Sequence, residues 1–448
     1  MPPSEKSVAK AGEAPIRPHS APPPKNQKLT FPICPPRLIR AKGIVLMQVP
    51  ENPELHLTYC QNIHPGERWA ENRAALEQKA VAVKNALPSA GPFGIGLRLS
   101  ATAAADLADA AAMDGGAALF AEHDLYPFSI NGFPYGRFHK GPVKENVYAP
   151  DWRTPERLEY TLRLAEILAR WLPEGREGSI STVPGSFAQW IQTRQDELAM
   201  AQNLGAITAD LARIEKQSGR RIHLGLEPEP DCFLETTAQT LSFFADALPA
   251  GALPVIMERL QLGREAASEL LRRHVGVCFD TCHVALQYED LTESLRAYRS
   301  AGVLLSKIQL SAALRAPATP ESVQALTAFR EPTYLHQIKA RGANGLRKAW
   351  TDLPEGLAAL SDETELEELR VHFHVPLFVA PGKPLESTAD SLDTAFWREV
   401  LGGVCTHLEI ETYTFDVLPP EVHPGDIVES IAAEYRWVLG KLAAAAKA

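Results

Sequence analysis

Several apolar runs in this chain end in an acid, an amide or an imidazole. Glu227 and Glu229 stand in LGLEPEP, Asp280 and His283 in CFDTCH, and Gln309 in KIQLS. His372 and His374 stand in VHFHVP, and Glu409 and Glu411 in LEIETYT. A carboxylate set in such a run is costly to bury unless it is paired or bound to a metal. Acids brought close together cannot all stay ionised without a cation between them. A shared divalent ion resolves both problems. Oxygen donors suit Mg²⁺ or Mn²⁺, and neighbouring imidazoles extend the choice to Zn²⁺, Co²⁺ or Fe²⁺. Taken singly, each residue has a plainer reading. A lone Glu is a cap partner or a surface group, Gln309 an ordinary hydrogen bonder, and His283 a loop residue. Their joint occurrence at successive run ends is what points to chemistry. Glu227 and Glu229 share one strand face by the period of two, as do Glu409 and Glu411. Only one of each pair need reach a cation.

These residues work together only if the chain gathers the run ends. The runs that read as strands are 56–62, 93–100, 126–132, 179–184, 222–228, 275–281, 304–311, 369–378 and 406–412. Between them lie stretches such as ERWAENRAALEQKAVAVKNAL and TPERLEYTLRLAEILARWL, whose apolar residues recur at three and four, the helix period. Strand alternating with helix predicts a parallel sheet with helices outside. The predicted fold is α/β, a (β/α)₈ TIM barrel, in which functional side chains come from the C-terminal ends of strands. Nine runs compete for eight positions. The run at 369–378 is the surplus one, because it follows a long irregular stretch at about 312–368 that reads as an insertion after strand seven. The end of the chain, IVESIAAEYRWVLGKLAAAAKA, reads as a closing helix.

Residues 1–46 differ from the rest. They hold ten of the 36 prolines and eight Lys or Arg against two acids. Such a segment buries too little apolar surface to offset its ordering entropy, so it reads as a disordered, Pro-rich basic extension ahead of a barrel at 47–448. Met47, directly before the first regular pattern, reads as a second candidate start.

The net charge of −10 argues against a nucleic-acid backbone as partner, since phosphate binding needs a concentrated basic surface. The six cysteines are scattered and lack zinc-type pairs, and they read as reduced thiols. No long uninterrupted apolar run and no secretory signal pattern is visible, so a transmembrane segment is not expected and the default location is cytoplasmic. FGIGLRLS lacks the spacing of a phosphate-cradling loop, and GFPYG reads as a turn.

The run CFDTCH resembles the Asp-Thr-x-His motif of the xylose-isomerase-like TIM-barrel superfamily, which includes sugar isomerases and epimerases, hydroxypyruvate isomerase and the endonuclease IV type of repair enzyme. The resemblance covers about residues 55–440. It implies a metal site of Glu, Asp, His or Gln, and Glu, in that order, which falls here on Glu227, Asp280, Gln309 and Glu411. Gln at the third place is similar to hydroxypyruvate isomerase. LEP favours Glu227 over Glu229, and IET favours Glu411 over Glu409. His283 matches a substrate-contacting histidine of the epimerases.

Longer motifs, TYCQNIHPGERW, FSINGFPYG, LEPEPDC, HFHVPLF and EIETYTFDVLP, resemble the bacterial metabolite traffic proteins called EboE. That resemblance implies handling of a small metabolite and association with other products of a gene cluster. Further pocket candidates are His64, Asn131, Tyr135, His372, His374 and Lys307, the last as a contact for an anionic substrate or as a core salt bridge. Three functions follow. The first is a metal-dependent isomerase or epimerase of a hydroxy-carbonyl metabolite, with Glu227 and Glu411 moving the proton and His283 orienting a substrate oxygen. The second is a non-catalytic carrier that keeps the pocket. The third is phosphodiester hydrolysis, which the acidic charge disfavours. It is disfavoured also because a histidine stands where the repair relatives place the Asp of an Asp-x-His pair.

Overall fold

The computed structural model describes residues 48–49, 52–88, 91–139, 143–360, 363–420, 423 and 425–448. The reading of 1–46 as an extension, and Met47 with it, lies outside the described residues.

Eight parallel strands form the barrel: Asn52–Tyr59, Phe93–Arg98, Leu125–Asn131, Gly178–Thr182, Ile222–Leu226, Val275–Asp280, Leu304–Leu310 and His407–Ile410. Each pairs with its neighbour in chain order, and strand eight pairs with strands seven and one. The seam between strands one and two is held by the bridge Cys60↔Gly96 and by Thr58 Oγ1, which donates to the Gly94 carbonyl at 2.9 Å. The strands are buried along nearly their whole length, as expected of a parallel sheet covered on both faces. Their near-continuous apolar runs follow from that burial.

The helices are set by local signals. Pro155 opens Pro155–Trp171 in its first turn, where its missing N–H costs nothing. Helix Arg194–Ser218 begins with a capping box between Thr193 and Asp196 and stops at Gly219, φ 70°, a left-handed position that glycine adopts without a Cβ clash. Thr237–Leu260 is long and apolar enough by composition to cross a membrane. In the fold it is two helices broken at Asp246, packed against Arg194–Ser218. At that contact a Cβ on Gly205 would lie 2.6 Å from the Ala252 carbonyl oxygen.

Between strands seven and eight the chain inserts a second, antiparallel sheet. Its strands, in spatial order, are Arg347–Trp350, Ile338–Gly342, Leu366–Val371, Leu314–Pro317 and Glu386–Ser387. The stretch that reads as irregular therefore carries regular structure, and the inserted sheet runs on to Ser387. The run expected as a strand at 369–378 contributes only its first residues to Leu366–Val371. Beyond Val371 the chain leaves the ladder, and His372 and His374 lie in the extended segment that follows. Short strands without barrel-like apolar runs, such as RKAW, leave little periodic signal.

The closing helix Ile427–Lys447 is tied to the barrel by a buried acid. Glu434 Oε1 accepts from Thr412 Oγ1 at 2.7 Å and from the Leu377 amide at 3.1 Å. Burial pushes its carboxyl up to about 7, against the two hydrogen bonds that lower it. A carboxyl whose folded pKa lies above its unfolded value stabilises the fold fully below the unfolded pKa and loses that contribution as pH rises through about 7. Glu434→Gln keeps an acceptor and cannot ionise. Its stability relative to wild type is expected to rise between pH 5 and pH 8, by on the order of 3 kcal/mol at most given about 1.4 kcal/mol per pKa unit. Calorimetric melting at both pH values checks the sign.

Candidate metal and substrate site

The sequence candidates reach the C-terminal mouth of the barrel from separate strands. Glu227 follows strand five, Asp280 ends strand six, Gln309 lies in strand seven and Glu411 follows strand eight. Asp280 also caps the short helix Thr281–Leu286. Its Oδ1 accepts from the Cys282 and His283 amides at 2.8 and 3.1 Å and from Ser311 Oγ at 2.6 Å. Those bonds leave Oδ2 buried without a partner, and Glu227 Oε2 is likewise buried and unpartnered. One carboxylate oxygen from each of Glu227, Asp280 and Glu411 lies within 4.8 Å of the other two. Gln309 is the register partner of Asp280 on the next strand. Its Oε1 accepts from the Cys278 thiol at 2.6 Å while its Nε2 has no partner. Turning the amide over would present oxygen to the unpartnered side, an exchange that the chemistry of an amide permits.

The electrostatics follow from this crowding. Glu227 is raised well above the carboxylate range by burial, then by the charges of Glu411 and Asp280. Glu411 is raised well above it by burial, then by Asp280 and Glu409. Asp280 is also penalised by burial, yet His283, His374 and the donors on its Oδ1 hold it below its ordinary value. Three buried acids with two orphaned oxygens fit an oxygen-bound divalent cation, which would replace the protons that Glu227 and Glu411 otherwise retain.

The pairs that sequence periodicity leaves open are separated by the fold. Glu411 joins the triad, whereas Glu409 lies a tier deeper and pairs with Lys307 Nζ at 2.9 Å. Lys307 also donates to Ser129 Oγ at 3.2 Å and is fully buried. Of its two expected roles it therefore takes the core salt bridge, and it does not border the cavity above. Glu229 stands apart from the triad, accepting from Tyr148 Oη at 3.0 Å, and burial raises it to about 8.

A small cavity of about 60 Å³ opens above the triad. Glu227, Glu229, Glu411, His283 and His372 supply its ionisable lining, and Phe133, Phe138, Tyr148, Tyr334 and Tyr413 are its aromatic walls. Asn131 lines it too, and Nδ2 donates to Glu411 Oε1 at 2.9 Å. The second donor to that oxygen is Asn62 Nδ2 at 2.7 Å, a residue the sequence reading passed over. It stands in the same NIHPGE loop from which His64 was chosen. The short turn Gln61–Ile63 places the asparagine at the cavity. His64 instead meets Tyr59, Oη to Nε2 at 3.0 Å, and does not border the cavity. Tyr135 also falls outside the cavity lining and packs on Tyr160, ring centroids 5.1 Å apart. Nothing in the local pattern ranks Asn62 above His64, because the partner that selects it lies 349 residues away.

His283 is close to both acids, with Nδ1 4.0 Å from Glu227 and Nε2 4.0 Å from Asp280. His374 is buried outside the cavity lining, its ring 5.7 Å from that of His283.

The chain thus has a xylose-isomerase-like TIM-barrel fold, with an acid-floored cavity at the C-terminal ends of its strands. No protein-family model matches it, and no curated protein matches it. Solved structures with a similar fold include a xylose isomerase-like TIM-barrel protein from Mycobacterium smegmatis in complex with magnesium. It is 10% identical, with a TM-score of 0.48, covering 88% of this chain and 98% of that one. The IolI protein with a bound zinc atom is 12% identical, with a TM-score of 0.44, over 87% of this chain and 99% of that one. A probable 3-DHS dehydratase, AsbF, involved in petrobactin synthesis in Bacillus anthracis, is 12% identical, with a TM-score of 0.42, over 86% and 98%.

The deep ion pair offers a test of the interior. Removing the lysine alone leaves Glu409 buried and unpaired, whereas replacing both partners by apolar residues removes the desolvation cost as well. Lys307→Met is expected to destabilise by about 3–5 kcal/mol. The Lys307→Met/Glu409→Leu double variant should recover most of that loss in urea denaturation.

Proposed function

We propose that this chain is a metal-dependent isomerase or epimerase of a small hydroxy-carbonyl, sugar-like metabolite. Glu227, Asp280, Gln309 and Glu411 hold the divalent ion: Mn²⁺, Mg²⁺, Zn²⁺ or Co²⁺. One observation carries the reading: buried carboxylates from three strand ends converge with unpartnered oxygens on the floor of a cavity. When bound, the ion would polarise a carbonyl and its adjacent hydroxyl. The chain's own groups supply the rest. Glu227 and Glu411 remove and return a proton at carbon, roles favoured by carboxyls whose pKa burial has raised toward neutrality or beyond. Asn62 and Asn131 fix Glu411 by holding Oε1. His283, whose Nδ1 lies 3.0 Å from the Pro228 carbonyl oxygen, presents its other nitrogen to a substrate oxygen. The aromatic walls keep water from the reacting carbons.

The finer assignment to the EboE type of metabolite traffic protein, acting with products of its gene cluster, rests on the motif resemblance alone. The net charge of −10 supports a small-molecule partner over nucleic acid. The five described cysteines are free and buried, which supports a reducing compartment such as the cytoplasm.

Metal analysis of untagged protein, combined with turnover on a panel of ketoses, aldoses and hydroxy-ketoacids, tests the proposal. Wild type is expected to retain a divalent ion and convert at least one member of the panel. Glu411→Gln should lower kcat by about 10²–10⁴, the range of general acid–base contributions. Full turnover by Glu411→Gln would sink the proton-transfer assignment. Stoichiometric retention of a metabolite without product would make the chain a carrier instead.

A further inference from the structure

Beside the carboxylate triad lie three imidazoles that the proposed reaction does not need as a group. Each has one nitrogen committed to an acceptor. His283 Nδ1 is 3.0 Å from the Pro228 carbonyl oxygen, and His374 Nδ1 is 2.8 Å from that of Glu411. His372 Nδ1 is 2.7 Å from Gln337 Oε1. The Gln337 amide is itself oriented, because its Nε2 donates to the Pro230 carbonyl at 3.3 Å. An oxygen acceptor demands a donor, so all three rings carry their proton on Nδ1 and present a bare Nε2 lone pair.

Those lone pairs have no proper partners. His283 Nε2 and His372 Nε2 face each other at 3.1 Å, acceptor against acceptor, and His374 Nε2 is buried with no partner. Two acceptors held at this distance require a cation between them. The separation also suits two ligands of one tetrahedral ion, where bonds of about 2.0–2.1 Å place the nitrogens roughly 3.3 Å apart. A carboxylate completes a set of three: one ligand atom from each of Glu229, His283 and His372 lies within 4.8 Å of the other two. Asp280, with its orphaned Oδ2, belongs both to the triad and to a further set with His283 and His374. It stands where the two groups adjoin.

We propose that the cavity holds a second divalent cation, of the imidazole-preferring Zn²⁺ or Co²⁺ kind, bound by His283, His372 and Glu229 next to the carboxylate site. Imidazole nitrogens select such ions over Mg²⁺. The carbonyl acceptors on the far nitrogens are the outer support that orients metal-binding histidines. The insertion builds half of the site, since His372 and Gln337 both come from it. The inference is independent of the isomerase reading and holds for any occupant of the cavity.

Titration of metal-free full-length protein with Co²⁺ alone, read by bound equivalents and by visible absorption, tests it. Wild type should take two equivalents, one of them giving the absorption of nitrogen-ligated cobalt. His372→Ala should keep one equivalent and lose that absorption, and Glu227→Gln should keep the absorption and lose the other equivalent. Gln337→Leu touches neither ion, and it should weaken the absorbing equivalent by about 10- to 100-fold, as loss of an outer-shell partner does. It serves as the deciding variant if His372→Ala does not fold, and unchanged binding by a folded Gln337→Leu would then count against the site. A single equivalent in wild type, or two in a folded His372→Ala, would overturn the proposal.

Discussion

Mutual repulsion among acids in a dry barrel mouth governs this molecule. Glu227, Asp280 and Glu411 each arrive on a different strand, and closing the barrel brings their oxygens within 4.8 Å. Water cannot screen them there, so the charge must be carried by protons or by a metal. The neighbouring contacts are arranged around that conflict. Asn62 and Asn131 take one oxygen of Glu411, and the cap of Thr281–Leu286 takes one oxygen of Asp280. What remains unpartnered faces the shared problem.

One tier below, the same strands meet the same problem and solve it internally. Glu409 precedes Glu411 by two residues, roughly 7 Å along a strand, and finds Lys307 at 2.9 Å. The deep tier therefore carries its own counter-ion, and the upper tier does not. A paired acid inside a barrel is an element of the core. An acid set left short of cations beside a cavity is a candidate for chemistry.

The insertion turns an open mouth into an enclosed one. Tyr334 and His372 come from it and line the cavity. Gln337, at the start of its strand Ile338–Gly342, fixes the His372 ring. Material added after strand seven thus supplies part of the wall and half of an imidazole pair, consistent with the way βα barrels vary function through their loops.

The sequence alone determined the barrel and the direction of its functional face. Apolar strand runs alternating with amphipathic helices admit few other packings, and the acids stand out because they interrupt those runs. Periodicity of two placed Glu227 with Glu229 and Glu409 with Glu411 on shared faces, and there its information ended. Which member of each pair meets a cation depends on partners from distant strands. The motif resemblance favoured Glu227 and Glu411, the two that the fold brings to the triad; their catalytic and metal roles are proposed. Only tertiary structure could give Lys307 to Glu409, put Asn62 rather than His64 at the cavity, and set His283 Nε2 against His372 Nε2. These are contacts between residues from 5 to 349 positions apart, decided by strand register and side-chain direction, which no local pattern encodes.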